Sequence, residues 1–284
     1  MKCVVCGNNL SSIILKDKSI FDNYQCSKCL LIQVSLENRT SSKQIHEKEF
    51  WKEDSDYTKF TGTKFTDKKV QDLVLSWNSW FSTFEKFFDK KELLDVGSGT
   101  GISLVKFEEK GFSVLGIEPD KENVSKINQI MNHGKCIYGF IETIELGKQF
   151  DIIWSSHSLE HLEDPNLCFK KVYQSLKDDG IFCVIVPNGE GIKSLKDSIR
   201  NRFHLFHYSK KSLKILGEKN GFKIQYISSY KIMEKTINFV DEYHEPENIS
   251  LINQLENIGL NLFSELNELS FQFNNKEMNV CTDD

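Results

Sequence analysis

The stretch Leu93-Leu94-Asp95-Val96-Gly97-Ser98-Gly99-Thr100-Gly101 decides the reading of this chain. Apolar residues of strand character run into three glycines at alternate positions, and a helical pattern follows from Ile102 to Lys110. Glycine admits the positive φ of a tight turn and lets backbone N–H groups approach a ligand closely. The helix N-terminus behind the turn favours negative charge. A second strand, Ser113 to Glu118, ends in an acid 21 residues after Gly97. A carboxylate at such a place can accept hydrogen bonds from both hydroxyls of a ribose. An ordinary α/β turn would explain a glycine pair by itself. A dinucleotide fingerprint, G-x-G-x-x-G/A, asks for Gly or Ala at position 102, but Ile102 stands there and the third glycine falls one place early.

Outward from this turn, strands and helices alternate. Pro119 and Asp120 open a helix to about Met131, with Asp120 as N-cap. Lys135 to Tyr138 reads as a third strand, followed by Gly139-Phe140-Ile141-Glu142, and Phe150 to Ser156 as a fourth. Pro165 suits the first turn of a helix over Asn166 to Leu176. Asp178-Asp179-Gly180 turns into an apolar fifth strand, 181–186, ending at Pro187-Asn188. This alternation predicts a mainly parallel, doubly wound sheet with ligands beyond the carboxyl ends of its strands, where Gly97, Glu118, Phe140 and His157 fall. Upstream, 36–61 is polar, with Thr40-Ser41-Ser42 as a linker and Tyr57 to Thr63 as a candidate flap; 67–88 has the spacing of a core-packing helix. Downstream, 222–230 reads as a strand, Leu251 to Phe271 as amphipathic, and Glu277 to Thr282 as a last antiparallel strand.

Cys3-x-x-Cys6 and Cys26-x-x-Cys29 lie 19 residues apart. Each pair suits a tight knuckle, and four thiolates form a closed tetrahedral Zn²⁺ site of structural type. Two disulfides or four free thiols are the alternatives; a cytosolic setting disfavours disulfides. Short strands at Ile13 to Leu15, Phe21 to Gln25 and Leu30 to Val34 complete a zinc ribbon. Cys136, Cys168, Cys183 and Cys281 sit in apolar patterns and read as core.

At the motif LLDVGSGTG, and at the GIEP that ends the second strand, the chain resembles the class I S-adenosylmethionine-dependent methyltransferases. Residues 150–165, FDIIWSSHSLEHLEDP, are similar to that family's fourth motif. The segment Arg202-Phe203-His204-Leu205-Phe206-His207-Tyr208-Ser209, with Ser212-Leu213 and Asn220-Gly221-Phe222, resembles a further segment of zinc-ribbon bacterial methyltransferases from polysaccharide and sugar-modification pathways. The tandem Tyr/His/Glu segment of sugar C-methyltransferases is not evident.

The resemblance implies a Rossmann-like seven-stranded methyltransferase sheet over 91–284, a linker and helical cap over 41–90 and a zinc ribbon over 1–40. It implies S-adenosylmethionine as cofactor, held by Asp95, Gly97, Ser98, Gly99, Gly101, Glu118, Pro119, Phe140, Ile141, Ser155, Ser156 and His157. In the family Phe140 lies beside the adenine; packing into the core is the other reading.

A sulfonium methyl is already electrophilic, so the enzyme mainly aligns a nucleophile behind it. A hydroxyl nucleophile also has to lose a proton, and histidine suits that role near neutral pH. His161, His204 and His207 are the candidates; holding a loop is the alternative role for each. His157, Glu160 and His161 stand at i, i+3 and i+4, which is metal-ligand spacing on a helix, although packing explains it equally.

Composition narrows the partners. The chain carries 36 Lys and Arg against 41 Asp and Glu, a net charge of −5. A general nucleic-acid binder is usually basic. Residues 1–40 carry five basic and three acidic groups, 190–223 nine and three, and 235–284 two and ten. The basic stretch suits a phosphate-bearing small-molecule or glycan acceptor, or is a solvated helix face. The longest apolar run, 181–186, is far short of a membrane span, and no signal peptide is visible, so a cytoplasmic protein is expected. The leading expectation is O-methylation of a sugar, nucleotide-sugar or glycan. A zinc-ribbon RNA methyltransferase, a small-metabolite methyltransferase and a catalytically silent cofactor binder are the rivals.

Overall fold

The computed structural model describes residues 1–13, 21–35, 92–201, 203–233, 236–239 and 268–274. The linker, flap and helix expected between 36 and 88, Arg202, Cys281 and the strand expected over 277–282 lie outside the described residues.

The elements follow in chain order. The front of the chain forms β1 (Leu10–Ile13), β2 (Asn23–Cys26) and β3 (Ile32–Val34). Then come β4 (Glu92–Val96), α1 (Ile102–Glu109), β5 (Ser113–Glu118), α2 (Lys121–Ile130), β6 (Lys135–Tyr138) and β7 (Phe150–Ser156). A 3₁₀ turn (Leu159–His161), α3 (Pro165–Ser175), β8 (Leu176–Pro187), α4 (Ile192–Arg200), β9 (Phe206–His207) and α5 (Lys210–Lys219) follow. The last elements are β10 (Lys223–Met233), β11 (Thr236–Phe239) and β12 (Glu268–Asn274).

The main sheet has the order β6-β5-β4-β7-β8-β12-β10-β11. The first five strands pair in parallel, and β12, β10 and β11 are antiparallel. Among the described residues this sheet holds eight strands, with β11 folding back on β10 at the edge. The antiparallel strand between β8 and β10 is 268–274, which overlaps the end of the stretch read as amphipathic and runs three residues beyond it. Its residues Leu269, Phe271 and Phe273 alternate with polar ones, a period of two that a strand requires. Asp178-Asp179-Gly180 is no turn: β8 runs unbroken from Leu176, and a register shift against β7 between Phe150 and Ile152 absorbs the polar residues.

Helix starts follow local chemistry. Asp120 accepts from Asn123 N (2.7 Å) at the start of α2. Asp164 accepts from Asn166 N (2.9 Å) and Leu167 N (3.2 Å), with Pro165 in the first turn of α3. Ser209 and Ser212 exchange side-chain and backbone bonds at the start of α5. Cys136, Cys168 and Cys183 are buried, as read.

The front of the chain does not have a core of its own. Cys3, Val5, Cys26, Cys29, Leu31 and Val34 belong to one apolar cluster with Leu94, Val96, Phe182, Val184, Phe206 and Tyr208. The small sheet has the order β1-β2-β3-β9, so its last strand comes from the segment after α4. Asn166 Nδ2 donates to Val4 O (2.8 Å) and Lys219 Nζ to Val5 O (3.1 Å), fixing the first knuckle against α3 and α5.

Candidate active site

The glycine turn leaves β4 with Gly97, Gly99 and Gly101 at φ 77, 54 and 79°. The N–H groups of Gly97 and Ser98 donate to Ile117 O (2.9 and 3.0 Å), which ties the turn to β5. Space as well as φ demands glycine here: a Cβ at 97 would lie 2.2 Å from Ser158 Oγ, and one at 101 would lie 2.6 Å from Ile127 Cγ1. α1 starts on Gly101 with no side-chain cap, so its first N–H groups open onto the turn. Asp95 and Ser98 are buried beneath it. Ser103 Oγ donates to the Asp95 carboxylate, and Ser98 Oγ donates to Asp95 O (3.3 Å). Burial pushes Asp95 up to about 7 against the pull of the Ser103 bond.

Glu118, at the end of β5, is buried and bent toward this turn. Its carboxylate accepts from Gly99 N (2.8 Å) and Asp120 N (2.9 Å). Burial pushes it up to about 8, and the two amide bonds oppose that. Pro119 follows it, half-buried; Phe140, after β6, is also half-buried, and Ile141 is buried. The end of β7 supplies Ser155, buried, and Ser156, half-buried. His157 is exposed at φ 51°, and its N–H donates to Ile185 O (2.9 Å). Histidine is one of the few non-glycine types enriched in that left-handed region.

The helix face expected at His157, Glu160 and His161 does not form. His157 precedes the 3₁₀ turn in a left-handed conformation, and only Leu159–His161 are helical. Glu160 nevertheless meets both histidines. Its Oε1 lies 3.6 Å from His157 Nδ1 and 3.9 Å from His161 Nε2. Its carboxylate is 1% exposed, and neither oxygen has a hydrogen-bond partner among the described residues. His161 Nδ1 lies 2.9 Å from Phe203 O. A carbonyl only accepts, so Nδ1 carries the proton and Nε2 keeps the lone pair. Burial lowers the His161 pKa, and the Glu160 charge opposes that shift.

His204 and His207 turn toward each other, with ring centroids 6.4 Å apart. Ser198 Oγ on α4 sits between them, 2.7 Å from His204 Nδ1 and 2.8 Å from His207 Nδ1. Asn201 Oδ1 accepts from Phe203 N (3.0 Å), so its Nδ2 is the donor toward His204 Nε2 (3.1 Å). With Nε2 accepting, His204 carries its proton on Nδ1 and donates to Ser198, whose hydroxyl then donates to His207 Nδ1. His207 therefore holds its proton on Nε2. That atom is buried without a partner among the described residues, and burial pushes the imidazole down to about 3. A neutral, enclosed His207 with its lone pair already used is not built to take a substrate proton, and both nitrogens of His204 are engaged. His161 packs edge-on against His204, with centroids 4.7 Å apart. Donor atoms of Glu160, His161 and His204 lie within 4.8 Å of one another.

Ser198, Asn201 and the Phe203 carbonyl had no sequence signal. They reach the histidines because the chain reverses at Asn201, where His204 N donates to Asn201 O (3.1 Å).

At the front, the Sγ atoms of Cys3, Cys6, Cys26 and Cys29 lie within 4.8 Å of one another, with Cys3–Cys29 at 3.5 Å and Cys6–Cys26 at 3.4 Å. The two knuckles match. Gly7 N donates to Cys3 O (2.9 Å) and Leu30 N to Cys26 O (2.8 Å), each at positive φ (72 and 63°).

A parallel sheet with a three-glycine turn at its switch point, and an acid at the end of the neighbouring strand, defines a nucleotide-cofactor fold of the methyltransferase class. The chain belongs to the methyltransferase domain family, whose model matches residues 66–227, more than half of the sequence. An uncharacterized methyltransferase of Alkaliphilus oremlandii is 36% identical over 76 residues, 26% of this chain and 35% of that protein. A ubiquinone biosynthesis O-methyltransferase of Bartonella tribocorum is 30% identical over 106 residues, 36% of this chain and 43% of that protein. The chain spans between about a third and two-thirds of the length of the first curated relatives it matches. Among solved structures, a SAM-dependent methyltransferase from Thermotoga maritima superposes with a TM-score of 0.58 at 15% identity, over 80% of this chain and 98% of that one. The plantazolicin methyltransferase BamL, in complex with a triazolic desmethylPZN analogue and SAH, gives 0.56 at 13% identity, over 85% and 98%. These two likenesses establish the fold. No helix among the described residues is long and apolar enough to cross a membrane.

Proposed function

We propose that the protein transfers the methyl group of S-adenosylmethionine to a hydroxyl of a small acceptor, with a sugar, nucleotide-sugar or glycan as the acceptor class. The observation that carries the cofactor reading is the buried Glu118 carboxylate at the rim of the Gly97–Gly101 turn, in a chain of the methyltransferase domain family. The turn and the α1 N-terminus suit the amino-acid end of the cofactor, and Glu118 suits the ribose hydroxyls. Oxygen as the methylated atom is supported by relatives named as ubiquinone biosynthesis and malonyl-[acyl-carrier protein] O-methyltransferases. A sugar acceptor rests on the resemblance of the ribbon and of residues 202–209 to sugar-pathway enzymes, and on the cations of 190–223. A small-metabolite acceptor is the second reading, favoured by the names of the same relatives. The net charge of −5 speaks against RNA.

His161 is the base this reading prefers, because its Nε2 keeps the lone pair while the buried Glu160 carboxylate, 3.9 Å away, would stabilise the imidazolium. The proton of the acceptor hydroxyl would pass to Nε2 as its oxygen takes the methyl from the sulfonium, which leaves as a neutral thioether, and His204 and His207 would position the wall beside it. We further infer one structural Zn²⁺ on Cys3, Cys6, Cys26 and Cys29. A tetrahedral site with Zn–S of about 2.3 Å needs sulfurs about 3.8 Å apart, and the four sulfurs already cluster near that spacing. Such a site is closed, so the metal would brace the fold and take no part in the chemistry.

The test is calorimetric titration with S-adenosylmethionine, followed by radiolabelled methyl transfer to a panel of sugar nucleotides, phenols and acyl thioesters. No cofactor binding would overturn the reading. Transfer confined to phenols or carboxyls would replace the sugar by the second acceptor class.

A further inference from the structure

Residues Phe203–Ser209 run as a strap between the cysteine ribbon and the histidine wall. On the ribbon side, Ile32 pairs with His207 and Gln33 with Phe206, and Val34 N donates to Leu205 O (3.1 Å). Ser209 Oγ donates to Cys29 O (2.7 Å), so the cap of α5 hangs on the backbone of a cysteine in the second knuckle. On the other side, Leu205 N donates to Glu160 O (2.8 Å), Tyr208 Oη donates to Leu159 O (3.3 Å), and Phe203 O receives His161 Nδ1–H. His204 and His207 are part of the strap itself. The bonds that shape the cofactor cradle join different elements: Glu118 to Gly99 and Asp120, Gly97 and Ser98 to Ile117, and Ser103 to Asp95.

We propose that the cysteine ribbon is the positioning element of the acceptor side: a metal on its four sulfurs holds the strap, and through it Glu160, His161 and His204, while the cofactor cradle stands independently. The physical reason is that β9 is two residues long, too short to hold a register by itself. Its ladder partner β3 follows directly on the second knuckle, whose Leu30 sits in the left-handed region that costs a β-carbon-bearing residue energy. Four cross-linked sulfurs hold that knuckle shut. Without the cross-link the knuckle can relax, which removes the Cys29 carbonyl from Ser209 and the β3 edge from Leu205–His207. The proposal rests on the zinc reading.

The experiment starts with elemental analysis of freshly purified protein, then compares it with chelator-treated protein, Cys26→Ser and Val34→Pro. Val34→Pro keeps all four cysteines and deletes the N–H that donates to Leu205 O. The readouts are hydrogen exchange by residue, histidine ¹⁵N shifts that report the His161, His204 and His207 tautomers, and cofactor Kd by calorimetry. Metal removal should raise exchange over Phe203–Ser209 and Leu159–Leu162 by about tenfold or more, with β4 and β5 protected as before. The histidine shifts should lose their single-tautomer values, the cofactor Kd should stay within about twofold, and Val34→Pro should reproduce the loosening at full metal content. Absence of zinc from the purified protein overturns the zinc reading and this inference with it. Zinc that can be removed with the strap still protected overturns the inference alone. Global unfolding on metal removal, with Val34→Pro leaving the strap protected, also overturns it.

Discussion

Two buried carboxyl groups and one histidine carry most of the chemistry proposed for this site. Glu118 is pushed up to about 8 by burial, so near neutral pH the cofactor-free protein holds it protonated. A carboxylate that accepts from ribose hydroxyls is ionised, so cofactor binding should release a proton near pH 7. Calorimetry in buffers of different ionisation enthalpy reads this directly, and Glu118→Gln should abolish the buffer dependence. Glu118→Ala should weaken the cofactor by roughly 1.5–3 kcal/mol, the range for a hydrogen bond to a charged group; an unchanged Kd would remove Glu118 from the site. His161→Ala should slow single-turnover methyl transfer by about 10²–10⁴ with cofactor affinity unchanged, the usual worth of general acid–base catalysis. Asn at 161 can keep a bond to Phe203 O but cannot take a proton, so it should be as slow as Ala. Rates near normal in both variants would show that no protein base acts at 161.

At the scale of elements, the turns that aim the site are held by short polar contacts. Asp164 caps two N–H groups at the start of α3, directly after the Leu159–His161 turn. Asp164→Ala should cost about 1 kcal/mol, or roughly 2–4 °C in a thermal scan of a protein this size; Asp164→Asn should recover most of it. Gly97 is stricter, because both its φ of 77° and the Ser158 side chain exclude a Cβ. Gly97→Ala should therefore displace the turn and abolish cofactor binding in calorimetry, while the far-ultraviolet dichroism of the sheet persists.

For the whole molecule, burial of ionisable groups sets a pH window. Asp95 and Glu118 are pushed up to about 7 and about 8, whereas carboxyls in an unfolded chain ionise near 4. Their contribution to stability is complete below that unfolded value and is lost as pH rises through 7 and 8. His207 acts in the opposite sense: held down to about 3, it costs stability as pH falls below its unfolded value near 6.5. Above about pH 6.5 His207 no longer opposes the carboxyls, so the cofactor-free protein should lose stability most steeply between about pH 6.5 and 7 and continue to lose it, less steeply, to about pH 8. Thermal midpoints across that range check this, and saturating cofactor should flatten the slope if it binds ionised Glu118. A midpoint that climbs steadily to pH 8 would contradict the burial of both groups.

What the sequence determined by itself is local and periodic. Three glycines between an apolar strand and a helix mark a tight turn, an acid at the end of the next strand has one geometric place, and paired CxxC knuckles bring sulfurs in pairs; Asp120 and Pro165 mark helix starts by the N–H groups left unpaired there. Those signals need only the nearest neighbours along the chain, and they were legible. Tertiary structure alone decided the rest. His204 and His207 flank Leu205 and Phe206 in the sequence, but α4 places Ser198 between the two rings, so Ser198 takes up the lone pair of His207 while Asn201 takes up that of His204. The strand at 268–274 overlaps the end of a stretch read only as amphipathic, because its place between β8 and β10 is set by those partners and not by its own neighbours along the chain. The ribbon reads as a separate unit from its cysteines, yet β3 finds its last partner in β9, and the two share one core. Pairing across more than 170 residues leaves no mark in either segment, since a strand edge specifies hydrogen bonds but not whose they are.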